Sequence, residues 1–97
     1  MIVEPDVFQA KYGQGDERVE VLKESRPLWE ARGVNHRILT DVAGSFFTVV
    51  LELEWPDQVP LTIAHEVLFA KPEFAEWFSR TVPLTESGRR ERYSVVE

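Results

Sequence analysis

The sequence predicts an α+β domain: a four-stranded antiparallel sheet with helices packed on one face. Three observations carry that prediction. Apolar residues alternate with period 2 in several stretches and recur near period 3.6 between them, which separates strands from helices. "AGS" at 43–45 stands between two alternating runs, the spacing of a hairpin. Residues 46–55 put Phe47, Val49, Leu51, Leu53 and Trp55 on one unbroken face, as expected of a strand at the centre of a sheet.

Each element follows in turn. The first strand is read at 7–12, with Phe8, Ala10 and Tyr12 on one face and Val7, Gln9 and Lys11 on the other. Pro5 ahead of it suits a strand start, because proline donates nothing to a ladder. "GQGD" at 13–16 turns the chain, and Asp16 and Glu17 fall where the positive end of a helix dipole favours acids. That helix runs to 32, with Val21, Leu22, Leu28 and Trp29 in one stripe and Ser25 within it. Pro27 kinks or restarts it, lacking an N–H and crowding the preceding turn; Gly33 caps it.

The second strand is read at 35–43, with His36, Ile38, Thr40 and Val42 on one face. The third, 46–55, has a second face of Phe46, Thr48, Val50, Glu52 and Glu54, which begins apolar and ends acidic. Helical spacing returns at Pro60, a favoured first helical position. Pro72 opens a further helical piece in which Phe74, Trp77, Phe78 and Thr81 recur at i, i+3, i+4 and i+7. Trp77 and Phe78 are its core-facing pair, and Glu76 pairs with Arg80 outside. Residues 82–88 read as irregular. Residues 89–96 close the chain as a strand, with Arg90, Arg92 and Ser94 alternating against Arg89, Glu91 and Tyr93.

The order β-α-β-β-α-β, with helices on one face of an antiparallel sheet, is the ferredoxin-like arrangement. Residues 1–97 form a single domain. The second sheet face is too apolar at Phe46 and Val50 for water, and nothing in the chain covers it. A homodimer built sheet face to sheet face follows.

Composition narrows the function. The chain is 43% hydrophobic and 29% charged, an ordinary globular balance. Without cysteine, disulfides, thiolate catalysis and Cys-ligated zinc are excluded, and a reducing cytoplasm fits. A formal charge of −6 opposes binding to nucleic acid and to anionic membranes. No basic, then apolar, leader opens the chain, and the longest apolar run falls far short of the roughly 20 residues that span a bilayer.

The topology, with the stretches "FQAKYGQGD", "DVAGSFFTVVLELE" and "PEFAEWFSRTVPLTESGRRERY", resembles the dimeric α+β barrel superfamily and its NIPSNAP-type branch of small bacterial proteins. The resemblance covers nearly the whole chain. It implies two subunits whose sheets enclose a barrel, with helices outside and a cleft between helices and sheet in each. The superfamily includes cofactor-free monooxygenases acting on aromatic polyketides, haem-degrading monooxygenases, isomerases and members without assigned activity. Its haem-degrading members use Asn, Trp and His, with the Asn on the first strand; here that strand offers Gln9, and His65 precedes Trp77, so haem degradation is not implied.

The motifs are modest. "HEVLF" at 65–69 begins like a zinc-protease helix, but Phe69 stands where the second His belongs, and His65 reads first as a partly buried helix histidine. With His36 and His65 the only histidines, no His-rich metal site is expected, and no cofactor. "GQG" has Arg18 where a third fingerprint glycine would stand, and reads as a turn. In "SGRRERY", Arg90 or Arg92 could anchor a ligand carboxylate or phosphate; the structural alternative pairs them with Glu52 and Glu54. Trp77 reads first as core, yet it faces the space where relatives bind ligands.

The ligand-binding candidates are therefore His36, His65, Trp77, Arg90 and Tyr93. The leading expectation is a small cytoplasmic homodimer that binds a small apolar or aromatic molecule, or transforms it slowly without a metal. The rival is a non-catalytic structural or interaction module with a filled core. The sequence leaves open whether the protein is an enzyme.

Overall fold

The computed structural model describes residues 1–56 and 70–97. The helix expected from Pro60, and His65 on it, lie outside the described residues. Strand β1 (Ile2–Ala10) is followed by helices α1 (Gly15–Lys23) and α2 (Arg26–Ala31), then strands β2 (Asn35–Thr40) and β3 (Thr48–Trp55). Helix α3 (Pro72–Thr81) leads through a 3-10 turn (Val82–Leu84) into β4 (Thr85–Arg90) and the short β5 (Tyr93–Ser94). The sheet is antiparallel in the order β2-β3-β1-β4, with β5 also pairing β1, and the helices lie on one face. This is the ferredoxin-like arrangement expected.

The bounds differ from expectation where backbone chemistry intervenes. β1 begins at Ile2 rather than 7, running through Pro5 although it has neighbours on both sides. The proline is tolerated because its side of the ladder is interrupted. Asp6 pairs with Arg90 and Val3 with Tyr93, so Pro5 faces the gap between β4 and β5, where its carbonyl accepts from the Glu91 N–H (3.1 Å).

The β2–β3 connection is longer than the predicted turn. Phe46 and Phe47 leave the strand because Phe47 adopts φ 60°, a left-handed conformation uncommon for a bulky residue. Its carbonyl accepts from the Ala10 N–H (3.0 Å), and the Gln9 side-chain amide donates to the Phe46 carbonyl, so the hairpin tip folds back onto β1. Pro27 restarts the first helix rather than bending it: α1 ends at Lys23 and Pro27 sits in the first turn of α2. The last strand likewise comes in two pieces, β4 starting at Thr85 once the Pro83 turn is complete.

The core lies between the helices and the inner face of β3. Leu22, Trp29, Phe74 and Trp77 from the helices close on Val49, Leu51, Leu53 and Trp55. Ser25, in the helical stripe, is buried yet satisfied: its hydroxyl donates to the Leu22 carbonyl (2.7 Å) and accepts from Trp29 Nε1 (3.0 Å). Arg80 ties α3 to the end of α1 through Glu24 (2.5 Å) and makes the expected pair with Glu76 (3.1 Å). Phe78 departs from expectation. The buried stripe of α3 is Phe74, Trp77 and Thr81, which leaves Phe78 on its flank, 52% exposed and stacked on Phe74.

Candidate functional site

Between the helix layer and the sheet lies a cavity of about 100 Å³. Its walls are mainly aromatic: Phe8 on β1, Trp29 on α2, and Phe74, Trp77 and Phe78 on α3. Three charged groups reach the same space, Asp6 from β1, Arg18 from α1 and Arg90 from β4.

The carboxylates arrive by strand alternation. β1 directs Glu4, Asp6, Phe8 and Ala10 to the helix side, because Asp6 stands opposite Leu51 and Glu4 opposite Leu53. Both acids are buried, and both are met by arginines from the neighbouring edge. Arg90 Nε lies 3.0 Å from Asp6 Oδ1 and 3.6 Å from Glu4 Oε2, while Arg92 Nε donates to Glu4 Oε1 (2.8 Å). The expected partners Glu52 and Glu54 are not used. They sit on β3, across β1 from β4 and on the opposite sheet face, where Glu52 takes Arg37 (2.7 Å) and Glu54 takes Asn35 (3.5 Å). Burial, reinforced by the charge of Glu4 and opposed by Arg90, pushes the Asp6 carboxyl up to about 6.

Arg18 is built differently. It is 2% exposed, its guanidinium stands 4.4 Å over the Phe8 ring, and its Nε donates to Thr85 Oγ1 (2.8 Å), which in turn donates to the Thr81 carbonyl (2.7 Å). Gly88 pairs with Phe8, and a side chain at that position would meet the ring at 3.1 Å, so the glycine leaves room for the platform beneath Arg18. Burial lowers the Arg18 guanidinium to about 10, leaving it charged at neutral pH.

Of the residues singled out from sequence, Trp77 and Arg90 meet at this cavity. Trp77 is buried and its Nε1 donates to the Val21 carbonyl (2.6 Å). His36 lies elsewhere, half-buried on β2 with Nδ1 3.3 Å from the Val34 carbonyl, in a shallow cleft with Arg37, Glu52 and Glu54. Tyr93 is 55% exposed and its hydroxyl donates to Glu91, which holds the phenol above its ordinary range. His65 lies outside the described residues. Among the described residues no group of three His, Asp or Glu is placed to hold a metal.

Sequence reasoning missed Asp6 and Arg18, yet both left a signal. Extending the alternation of Phe8 and Ala10 backwards lands on Asp6 and Glu4, acids on an inward face. Arg18, Leu22, Ser25 and Trp29 share one helical stripe, so a charge stands in line with the core.

The outer sheet face carries a separate open groove of about 650 Å³, bordered by Val7, Gln9, Leu39, Thr48, Val50 and Arg89. Its lining is short and mixed, unlike the aromatic walls inside.

Fold and site define a class: a ferredoxin-like α+β domain with an aromatic cavity beneath its helices. Among solved structures, an uncharacterised NIPSNAP domain protein from Burkholderia xenovorans superposes with a TM-score of 0.86 at 20% identity, over 99% of this chain and 95% of that one. A NIPSNAP family protein from Agrobacterium tumefaciens gives 0.84 at 16% identity, over 99% and 93%. SnoaB, a cofactor-independent oxygenase from Streptomyces nogalater, gives 0.74 at 15% identity, over 99% and 93%. At these identities the likeness shows a common fold, the one the sequence resemblance implied. No family model matches the sequence, and no curated protein matches it.

Proposed function

We propose that this protein binds a small apolar or aromatic molecule in the cavity between helices and sheet. The observation that carries the reading is the lining itself, which joins Phe8, Trp29, Phe74 and Trp77 with the charged residues Asp6, Arg18 and Arg90. Apolar walls with a few convergent polar groups, here two of them perturbed, are the usual composition of a ligand site. Should the bound molecule react, Asp6 is the group equipped to move a proton near neutral pH, and the cofactor-independent oxygenase chemistry named for SnoaB fits such a site. A second reading, a non-catalytic interaction module, is favoured by the closure of Arg90 and Arg92 onto Asp6 and Glu4.

Native mass spectrometry of protein purified from its own host tests the choice. A retained small molecule supports the binding reading. A bare mass, with no thermal shift from a panel of monocyclic aromatics, sinks it.

The working unit in this proposal is a cytoplasmic homodimer joined through the outer sheet face. Support comes from Val7, Leu39 and Val50, which no other described element covers, with Phe46 also exposed. The absence of cysteine agrees with a reducing compartment, and among the described residues no helix is long and apolar enough to cross a membrane. Light scattering on the wild type should give twice the chain mass, and Val50→Lys should halve it; a monomeric wild type at micromolar concentration removes the sheet-to-sheet arrangement.

A further inference from the structure

We infer that Arg18 is the anion-recognising residue of the helix–sheet cavity, and that the cavity takes a small monocyclic molecule bearing a carboxylate. The inference rests on the reading of this cavity as a small-molecule site.

Among the described residues that line the cavity, two arginines stand against one carboxylate. Arg90 is matched by Asp6 and Arg92 by Glu4, with Arg90 also 3.6 Å from Glu4. Arg18 is the third guanidinium of the set, and among the described residues it makes no ion pair with a carboxylate. Its Nε is committed to Thr85 and one face of its plane to Phe8, but its Nη1 is buried with no hydrogen-bond partner. A guanidinium taken out of water without an anion is expensive, so a stable fold that keeps one has a use for it. The two contacts it does make fix its plane and leave the fork end uncommitted.

Arg18 is one of the residues that line the cavity, together with Trp29, Phe74 and Trp77. It also borders a second cleft of about 270 Å³, which shares Phe8, Phe78 and Thr81 with the first and extends to Glu86 and Ser87 on the exposed strand. Arg18 lines both spaces, so a ligand that reaches from the cleft into the cavity lies against it. Planar, bidentate pairing suits a guanidinium to a carboxylate better than to a neutral oxygen. The volume sets the rest: about 100 Å³ is below the roughly 150 Å³ of an apolar cavity that holds benzene, so a single ring with its carboxylate must also use the adjoining cleft of about 270 Å³. Asp6 also lines the space, but its charge is already answered by Arg90.

The test compares benzoate with its uncharged isostere benzamide, on the full chain, by tryptophan fluorescence and thermal shift. Wild-type protein should bind benzoate at least tenfold more tightly than benzamide, and Arg18→Gln should bring the two affinities within twofold. Arg18→Lys, which keeps the charge and loses the fork, should retain part of the preference. Equal binding of the two probes by the wild type overturns the role of Arg18 while leaving the cavity a binding site. Binding of neither overturns both readings. A preference that survives in Arg18→Gln also overturns it, and if that variant does not fold, the wild-type comparison and Arg18→Lys still decide.

Discussion

Strands β1 and β3 lie side by side and divide their residues between the two sheet faces in opposite ways. β3 follows the ordinary rule, with Val49, Leu51, Leu53 and Trp55 towards the helices and Thr48, Glu52 and Glu54 outward. β1 inverts it, burying Glu4 (0% exposed) and Asp6 while Val3 and Val7 face the other way. Burying two carboxylates where hydrophobic residues would serve stability equally well or better is a cost that stability alone does not explain. The inward face of β1 therefore reads as a built polar site, whereas that of β3 is packing. The outward valines of β1 complete the contrast, making the open face less polar than a solvated sheet face should be.

The largest effect is expected where packing dominates. Trp77→Ala removes a buried aromatic that touches Phe74 and donates to the Val21 carbonyl, and should cost about 3–5 kcal/mol in chemical denaturation. A loss below about 1 kcal/mol would put the ring outside the packed layer and make the inner face of α3 part of the site alone. Next in size is a pair of arginines chosen to compare the two faces. Arg92→Ala leaves Glu4, which is fully buried, without its 2.8 Å partner, and should cost about 2 kcal/mol. Arg37→Ala breaks an equally short pair with Glu52 on the outer face, where the arginine is exposed in the single chain, and in the monomeric Val50→Lys background should leave the unfolding midpoint unchanged. Equal losses from the two would erase the distinction between a buried network and a solvated one.

Much of this was legible in the sequence because hydrophobic period is a strong signal. The apolar face of β3, the Trp77 stripe and the ferredoxin-like order all follow from it. What period could not reveal was the polar exception. Glu4 and Asp6 sit beside Pro5, a residue that argues against a central strand, and only the β4–β5 break makes the proline acceptable there. The same gap explains why the alternative that pairs Arg90 and Arg92 with Glu52 and Glu54 names the wrong acids: a β1 read from 7 leaves Glu4 and Asp6 outside the sheet. Arg18 was legible only as a charge in an apolar stripe, since its role depends on Phe8, Thr85 and Gly88 arriving from distant strands. Phe47 illustrates a different limit, for its left-handed backbone contradicts an otherwise sound strand pattern.

The smallest change at neutral pH, and the finest test of the inverted strand, concerns Asp6. Asp6→Asn removes the desolvation cost of the carboxylate and the ionic partner of Arg90 together, two effects of opposite sign, so stability near pH 7 should move little. The pH dependence should move more. Burial and the neighbouring charge of Glu4 raise Asp6 from 3.8 to about 6, against the pull of Arg90. Between those values the folded protein holds a proton that the unfolded chain has released, so the contribution of Asp6 to stability is full below about 4 and is lost as pH rises through about 6. Glu91, held low by the Tyr93 hydroxyl and then by Arg89, contributes the opposite slope, but only as pH falls below the ordinary glutamate range. Urea denaturation at about pH 5 and about pH 7.5 isolates the Asp6 window. The wild type should lose stability between the two, and Asp6→Asn should flatten the difference. An unchanged slope in the variant would mean that Asp6 titrates as an ordinary surface carboxyl, and the case for a proton-handling group beneath Trp77 would go with it.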